Sequence, residues 1–239
     1  MLSIDELCEL AMNRRSIRGY QKDKEVPEEV IRKILEIARW APSGGNGQPW
    51  EFIVIRDKET RDKIADLFLK QQEHKKEMEM AVRGDAKMTG AGFRNAPVHI
   101  VVLGDPRVNE SYPIRTREEK SDSHFYTGLG NATLLIHLAA TSLGLGSQYV
   151  SDASSPYMAT MLKVLLGVPE PLKIYHLIPI GYPAGSVDPR PRRELDEIVH
   201  HEKYDRNKFR NDKEMEKFIE TLTRRGSYGK KAWVEDDHA

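Results

Sequence analysis

The stretch Trp40-Ala41-Pro42-Ser43-Gly44-Gly45-Asn46-Gly47-Gln48-Pro49-Trp50 constrains this chain more than any other. It joins a helix-patterned segment to a strand-patterned one, and its eleven residues include two prolines, three glycines and two tryptophans. Glycine admits positive φ and lets backbone amides approach a ligand, while proline fixes the direction in which the chain enters and leaves. Ser43, Asn46 and Gln48 add short polar groups. Two readings are open: a ligand-holding loop, or a tight helix-to-strand connection with a buried tryptophan at each end. The loop is not a nucleotide-hydrolase phosphate loop, because no Gly-Lys-Ser/Thr follows. Nor is it a dinucleotide fingerprint, because its glycines precede a strand.

Helices and strands can be placed around this loop. Ser3 and Glu6 have capping-box spacing, and Ile4, Leu7, Cys8 and Ala11 predict a first helix ending near Asn13. Arg14-Arg15-Ser16-Ile17-Arg18 follows, with three cations in five residues. Such a cluster suits the negative end of a helix, and it equally suits a phosphate gripped by bidentate guanidinium bonds. Pro27 opens a second helix through Val30, Ile31, Ile34, Leu35 and Ala38. Buried strands are predicted at Trp50 to Ile55, Pro97 to Leu103 and Lys173 to Ile180, with a short one after Leu143-Gly144-Leu145-Gly146. Further helices are expected over 60–82, over Gly128 to Leu143, and between Ser155-Pro156 and Gly167. His74 lies in a solvated charge run and is given no role, and His137 reads as a satisfied core histidine.

Two segments carry unplaced chemistry. Residues 105–124 are polar and aperiodic, which predicts either a lid or a disordered insertion. Tyr112, Arg115, Arg117 and His124 there suit a flat or anionic substrate. Asp188-Pro189-Arg190-Pro191-Arg192-Arg193 is a stiff second arginine cluster. Beyond it, Met215, Phe218, Ile219 and Leu222 predict an amphipathic helix before Arg224, Arg225 and Gly226, with a stripe that needs cover such as another subunit.

Composition excludes several functions. The 37 basic and 37 acidic side chains balance, which argues against a general nucleic-acid binder. Cys8 is the only cysteine and falls on the apolar face of the first helix, so it is expected to be a buried thiol in a reducing compartment. The start has no basic-then-apolar leader and no run of eighteen apolar residues occurs, so the expectation is a cytoplasmic protein with no membrane contact. His200-His201-Glu202 points adjacent side chains apart, and no His-Glu-x-x-His or paired Cys-x-x-Cys is present, so no metal is expected. No Gly-x-Ser-x-Gly elbow offers a nucleophile. Chemistry would then come from an organic cofactor, and the arginine clusters suggest one carrying a phosphate.

The ordered set of motifs resembles the FMN-dependent nitroreductase family. It runs from Arg14-Arg15-Ser16-Ile17-Arg18 and Pro27-Glu28-Glu29 through Ala41-Pro42-Ser43 and Asn46-Gly47-Gln48-Pro49-Trp50. Leu143-Gly144-Leu145-Gly146, Pro179-Ile180-Gly181-Tyr182-Pro183 and Pro191-Arg192-Arg193 to Glu197-Ile198-Val199 complete it. The resemblance implies an α+β fold, a mixed sheet flanked by helices, in an intertwined homodimer with FMN at the interface. The match spans residues 5 to about 200, which gives one FMN-binding domain over 1–200; the 105–124 segment, read above as a lid insertion, and a C-terminal extension over 201–239 have no counterpart in the resemblance.

Carried over residue by residue, Arg14, Arg15 and Ser16 would hold the phosphate end, with Arg18 at the pyrimidine edge. Pro42, Ser43, Gly44 and Asn46 would come from the partner subunit, and Arg190 and Arg192 would complete the phosphate clamp. Ser151 and Asp152 would face flavin N5 through their backbone, where several members have Glu-Gly. Tyr112, Arg115 and His124 are the candidate substrate contacts. No side chain is needed as acid or base. The implied activity is transfer of hydride from NAD(P)H to a nitro, quinone or related acceptor by a ping-pong route. A reductive dehalogenase, a flavin-consuming enzyme and a non-catalytic flavin carrier are the alternatives.

Overall fold

A computed structural model describes residues 3–84 and 88–224. The chain divides into two units, Met1–Val187 and Asp188–Ala239. In the first, β1 (Trp50–Ile55), β2 (Val98–Gly104), β3 (Gly146–Ser147) and β4 (Lys173–Gly181) form one sheet in the order β1-β2-β4-β3. All three neighbouring pairs are antiparallel, so the sheet is antiparallel where a mixed one was expected, and a parallel pairing of Ser16 with Ser147 is an isolated bridge outside the strands.

The strands form where β-branched residues run together, and alternation sorts their side chains between two cores. Val98, Ile100 and Val102 of β2 join Ile178 and Ile180 of β4 on one face. There they meet α2 (Glu28–Ala38) through Ile31, Ile34 and Ala38, and α4 (Ile114–Ser142) through Phe125, Leu129 and Ile136. Val101, Leu103 and Leu177 face the other way, onto Ile64 and Phe68 of α3 (Lys58–Arg83) and Met158 and Leu162 of α5 (Pro156–Leu166). The register slips between Val102, paired with His176, and Leu103, paired with Ile174. Tyr175 is the extra residue of this bulge, which explains why its ring lies only 3.9 Å from that of its neighbour His176.

Local signals set the helix ends. At α1 (Ile4–Asn13) the Glu6 amide donates to Ser3 Oγ at 3.1 Å, and the Ser3 amide donates to Glu6 Oε2 at 2.7 Å. Pro27 stands at the N-cap of α2, and Ser155 and Pro156 open α5, which stops at Gly167 with φ 64°. Asp57 caps α3, which ends at Gly84 with φ 74°.

Three expectations need correction. Segment 105–124 is not an irregular lid: Pro106–Ser111 forms a 3₁₀ turn, and α4 begins at Ile114 with a break at Lys120. Its first turns face solvent and are held by pairs such as Arg115–Glu119 at 2.9 Å, so no apolar period marks them. Cys8 is exposed, because α1 buries none of its described residues within the single chain. Trp40 is 75% exposed while Trp50 is 9% exposed. Trp40 lies past the end of α2, its indole N–H donating to Glu36 at 3.2 Å and its ring under Arg39.

His137 is buried as expected, and His99 and His176 are buried with it. Loss of hydration pushes all three down to about 4 from the usual 6.5, so each is neutral in the fold at pH 7. The unfolded chain takes up protons near pH 6.5 that the native chain refuses until about pH 4. Their contribution to stability is therefore complete above pH 6.5 and falls away towards pH 4. Urea unfolding across that range should show stability falling with acid, less steeply in His99→Gln. A flat profile would mean that these rings titrate normally.

The second unit contains α6 (Leu195–Ile198), a 3₁₀ turn at Arg206–Lys208 and α7 (Asp212–Arg224). Glu197 accepts from Arg193 at 3.2 Å and Arg210 at 3.1 Å, and Arg210 covers the ring of Phe218. Met215 and Ile219 on α7 are exposed, while the Leu222 side chain, Arg225 and Gly226 lie outside the described residues. No helix among the described residues is long and apolar enough to cross a membrane.

Candidate functional site

The arginine segment leaves α1 and runs beside β3. Arg15 Nη1 donates to the carbonyls of Met12 and Arg14, so its guanidinium caps the helix it follows. The Ile17 amide donates to the Ser147 carbonyl at 3.0 Å, and the Tyr20 hydroxyl donates to the Ile17 carbonyl at 2.8 Å. Two glycines let the segment lie this close. A Cβ at Gly146 would stand 2.7 Å from Ile17, and one at Gly92 would stand 2.3 Å from the Arg18 carbonyl oxygen. Arg14, Arg15, Ser16 and Arg18 are therefore pinned at the backbone and half-buried.

Behind them lies a group that the sequence pattern did not single out. Ser147 Oγ is hydrogen-bonded to His137 Nδ1 at 2.7 Å. The Tyr149 ring lies 3.9 Å from that of His176 and 5.9 Å from that of His137, and its hydroxyl donates to Tyr175 at 3.4 Å. Desolvation, then the Tyr175 contact, raises the Tyr149 phenol, so it stays protonated. After desolvation, the Arg14 charge adds to what keeps His137 neutral. Among the described residues, Thr133 Oγ1, His137 Nε2, Gln148 Oε1 and His176 Nδ1 are buried without a hydrogen-bond partner. Unpaired buried groups are rare in proteins, and one explanation is a ligand or water that they bind. Thr133 and His137 share an α4 face at i, i+4, but an amphipathic helix reads the same whether that face is core or site.

The glycine loop is a second, separate candidate group. Gly45, Asn46 and Gln48 all have positive φ, of 56°, 55° and 44°, a conformation that needs support around it. The Gln48 amide donates to Ser43 Oγ at 3.0 Å, and Asn131 of α4 donates to the Pro42 carbonyl at 2.9 Å. Tyr112 is buried and its hydroxyl donates to the Gly44 carbonyl at 2.9 Å. The His124 ring meets that of Tyr112 edge-on at 5.3 Å and stands against Gly44, where a Cβ would come within 2.8 Å of it. Tyr112 and His124 are thus brought together on the loop, whereas Arg115 faces solvent with Glu119.

Helix α4 contacts both groups, on different sides. Asn131 and His137 are six residues apart, about 9 Å along the axis and about 120° around it. The arginine segment and the glycine loop therefore back onto one helix from separate directions.

Ser151 is exposed and opens a 3₁₀ turn, Ser151–Ser154, in which the Asp152 carboxylate is turned towards α3. Arg190 and Arg192 belong to the second unit and are exposed, with Arg192 Nη1 donating to the Arg190 carbonyl at 3.1 Å. Among the described residues no group of three or more His, Cys, Asp or Glu side chains is placed to hold a metal.

The chain as a whole is similar to known proteins. A protein of Archaeoglobus fulgidus, provisionally named NADH dehydrogenase/NAD(P)H nitroreductase, is 32% identical over 185 residues, covering 77% of this chain and 90% of that protein. Iodotyrosine deiodinase 1 of Mus musculus is 29% identical over 206 residues, covering 81% and 68%. Among solved structures, an FMN-dependent nitroreductase of Clostridium difficile R20291 is 27% identical, with a TM-score of 0.63 over 82% of this chain and 98% of its own. The sequence model of the Nitroreductase family matches residues 11–182. That span holds the arginine segment, the glycine loop, the whole sheet and the Ser151–Ser154 turn, and on that extent of match the chain belongs to the nitroreductase family.

Proposed function

We propose that this chain is an FMN-dependent oxidoreductase that takes hydride from NAD(P)H and reduces a nitro, quinone or related small acceptor in alternating half-reactions, acting as a homodimer. The observation that supports the reading is that the arginine segment and the glycine loop back onto separate sides of α4, one cationic and one glycine-rich, so a second copy would be needed to bring the two kinds of group to one ligand.

The residues fit FMN. Half-buried arginines suit a phosphate dianion, and the unpartnered atoms of Thr133, His137, Gln148 and His176 offer hydrogen bonds to a polar planar ligand. Bound there, FMN would supply hydride acceptance and donation at N5, which no side chain provides. Arg14, Arg15 and Ser16 would hold the phosphate end. Arg18 would place positive charge at the ring edge that becomes electron-rich. Pro42, Ser43, Gly44 and Asn46 would come from the second copy, their backbone held in shape by Tyr112, His124 and Asn131. Ser151 and Asp152 would border the ring through their backbone.

A second reading is reductive dehalogenation of a halogenated phenol. It is favoured by the aromatic cover of Tyr112 and His124 over the loop, together with the 29% identity to the deiodinase. Purified protein loaded with FMN should consume NADH or NADPH in proportion to a nitroaromatic or quinone acceptor. Halide release from a halophenol would mark the second reading. FMN bound tightly with no turnover of any acceptor would contradict both and leave a flavin carrier.

A further inference from the structure

One stretch of α3 clasps the Ser151–Ser154 turn. Gln72 Nε2 donates to Asp152 Oδ2 at 2.6 Å, and Lys75 Nζ pairs with Asp152 Oδ1. Ser155 Oγ donates to Gln71 Oε1 at 2.7 Å. Residues 71, 72 and 75 fall within about one helical turn, so they reach the same neighbour. Gln71 and Gln72 are only 5% and 6% exposed, an unusual depth for glutamine. Burying amides is unfavourable compared with burying leucine unless their hydrogen bonds fix something. What they fix is the turn whose backbone is proposed to border the flavin, with the Asp152 carboxylate held on its α3 side and close enough for its charge to act on the ring.

A carboxylate beside a ring that gains electrons opposes reduction, and an adjacent ammonium cancels that effect. We propose that Lys75 and Asp152 form a charge-balanced pair that sets how strongly the site favours reduced over oxidised FMN, with Gln71 and Gln72 as positioning residues for the turn. This rests on the reading that FMN binds beside Ser151 and Asp152.

The pair makes a signed forecast. Lys75→Met leaves the carboxylate uncompensated, and the ratio of reduced to oxidised FMN affinity should fall about three- to tenfold. Asp152→Asn leaves the ammonium, and the ratio should rise by a similar factor. The double variant should return close to wild type. A tenfold change corresponds to about 30 mV for a two-electron couple, within reach of dye-equilibrated potential measurements. The Lys75 side chain is 45% exposed, so its replacement leaves packing intact, and Lys75→Arg should keep the wild-type potential. If Asp152→Asn does not fold, the contrast between Lys75→Met and Lys75→Arg decides alone.

Wild-type FMN binding, read by fluorescence quenching, comes first. A wild type that takes up no FMN overturns the flavin reading, and the pair's role with it. A wild type that binds FMN, with single variants that share its potential or shift it in the same direction, overturns this inference only.

Discussion

Replacing Arg15 with alanine should weaken FMN binding about ten- to a hundredfold and leave a folded protein. A hydrogen bond to a charged group contributes about 1.5–3 kcal/mol, and every 1.4 kcal/mol is about tenfold in affinity. Arg15 is half-buried at the end of α1, and its guanidinium already spends donors on the carbonyls of Met12 and Arg14. Those bonds orient the remaining N–H groups without using them all, since a guanidinium has five. Arg15→Lys should recover part of the loss, because it restores the charge and not the planar fork. Loss of the cap affects one helix end by about 0.3–1 kcal/mol, well below what would unfold a domain. FMN titration by fluorescence checks this. Wild-type affinity in Arg15→Ala would make the residue a helix cap and nothing more.

Phe125→Ala should lower the stability of the fold by about 3–5 kcal/mol, the range for a large buried aromatic. Phe125 is fully buried where α4 crosses β2. A Cβ at Gly104 would stand 2.4 Å from its ring and 2.7 Å from Leu129, so the strand has given up a side chain to admit it. For a chain of this length each kcal/mol moves Tm by roughly 2–4 °C, so a drop of about 6–20 °C is expected by circular dichroism. An unchanged Tm would contradict this packing.

Much of the fold is legible where a local rule acts alone. The run Trp50 to Ile55 is rich in aromatic and β-branched residues and is preceded by Pro49, and β1 has those limits. Ser155-Pro156 and Gly167 frame α5 because capping and positive φ depend on neighbours along the chain. The first half of α4 is not legible, because a helix that faces solvent has no apolar period to display. Cys8 and Trp40 were misplaced for a related reason. An apolar face shows which way a helix points and not whether this chain covers it, and Ile4, Leu7 and Met12 of α1 are all exposed. The bulge at Tyr175 is set by strand register, a property of two segments at once.

The site divides in the same way. The arginines and the glycine loop announce themselves by composition. Thr133, His137, Gln148 and His176 do not, because a missing hydrogen-bond partner exists only in three dimensions. Gln71, Gln72 and Lys75 lie in a polar run of α3 whose purpose appears only once the Ser151–Ser154 turn is seen against it.

The central claim is that the arginine segment of one chain and the glycine loop of another complete a single FMN site. It is tested by co-expressing Arg15→Ala with Gly44→Val under different tags, and titrating FMN into the purified mixed dimer. A valine at Gly44 has no room beside His124, so each variant damages one half-site. The mixed dimer pairs the intact Arg15 of one chain with the intact loop of the other. The account predicts one FMN bound per mixed dimer at wild-type affinity, while both parent homodimers bind weakly. A mixed dimer with no wild-type-affinity site would show that each chain builds its site alone.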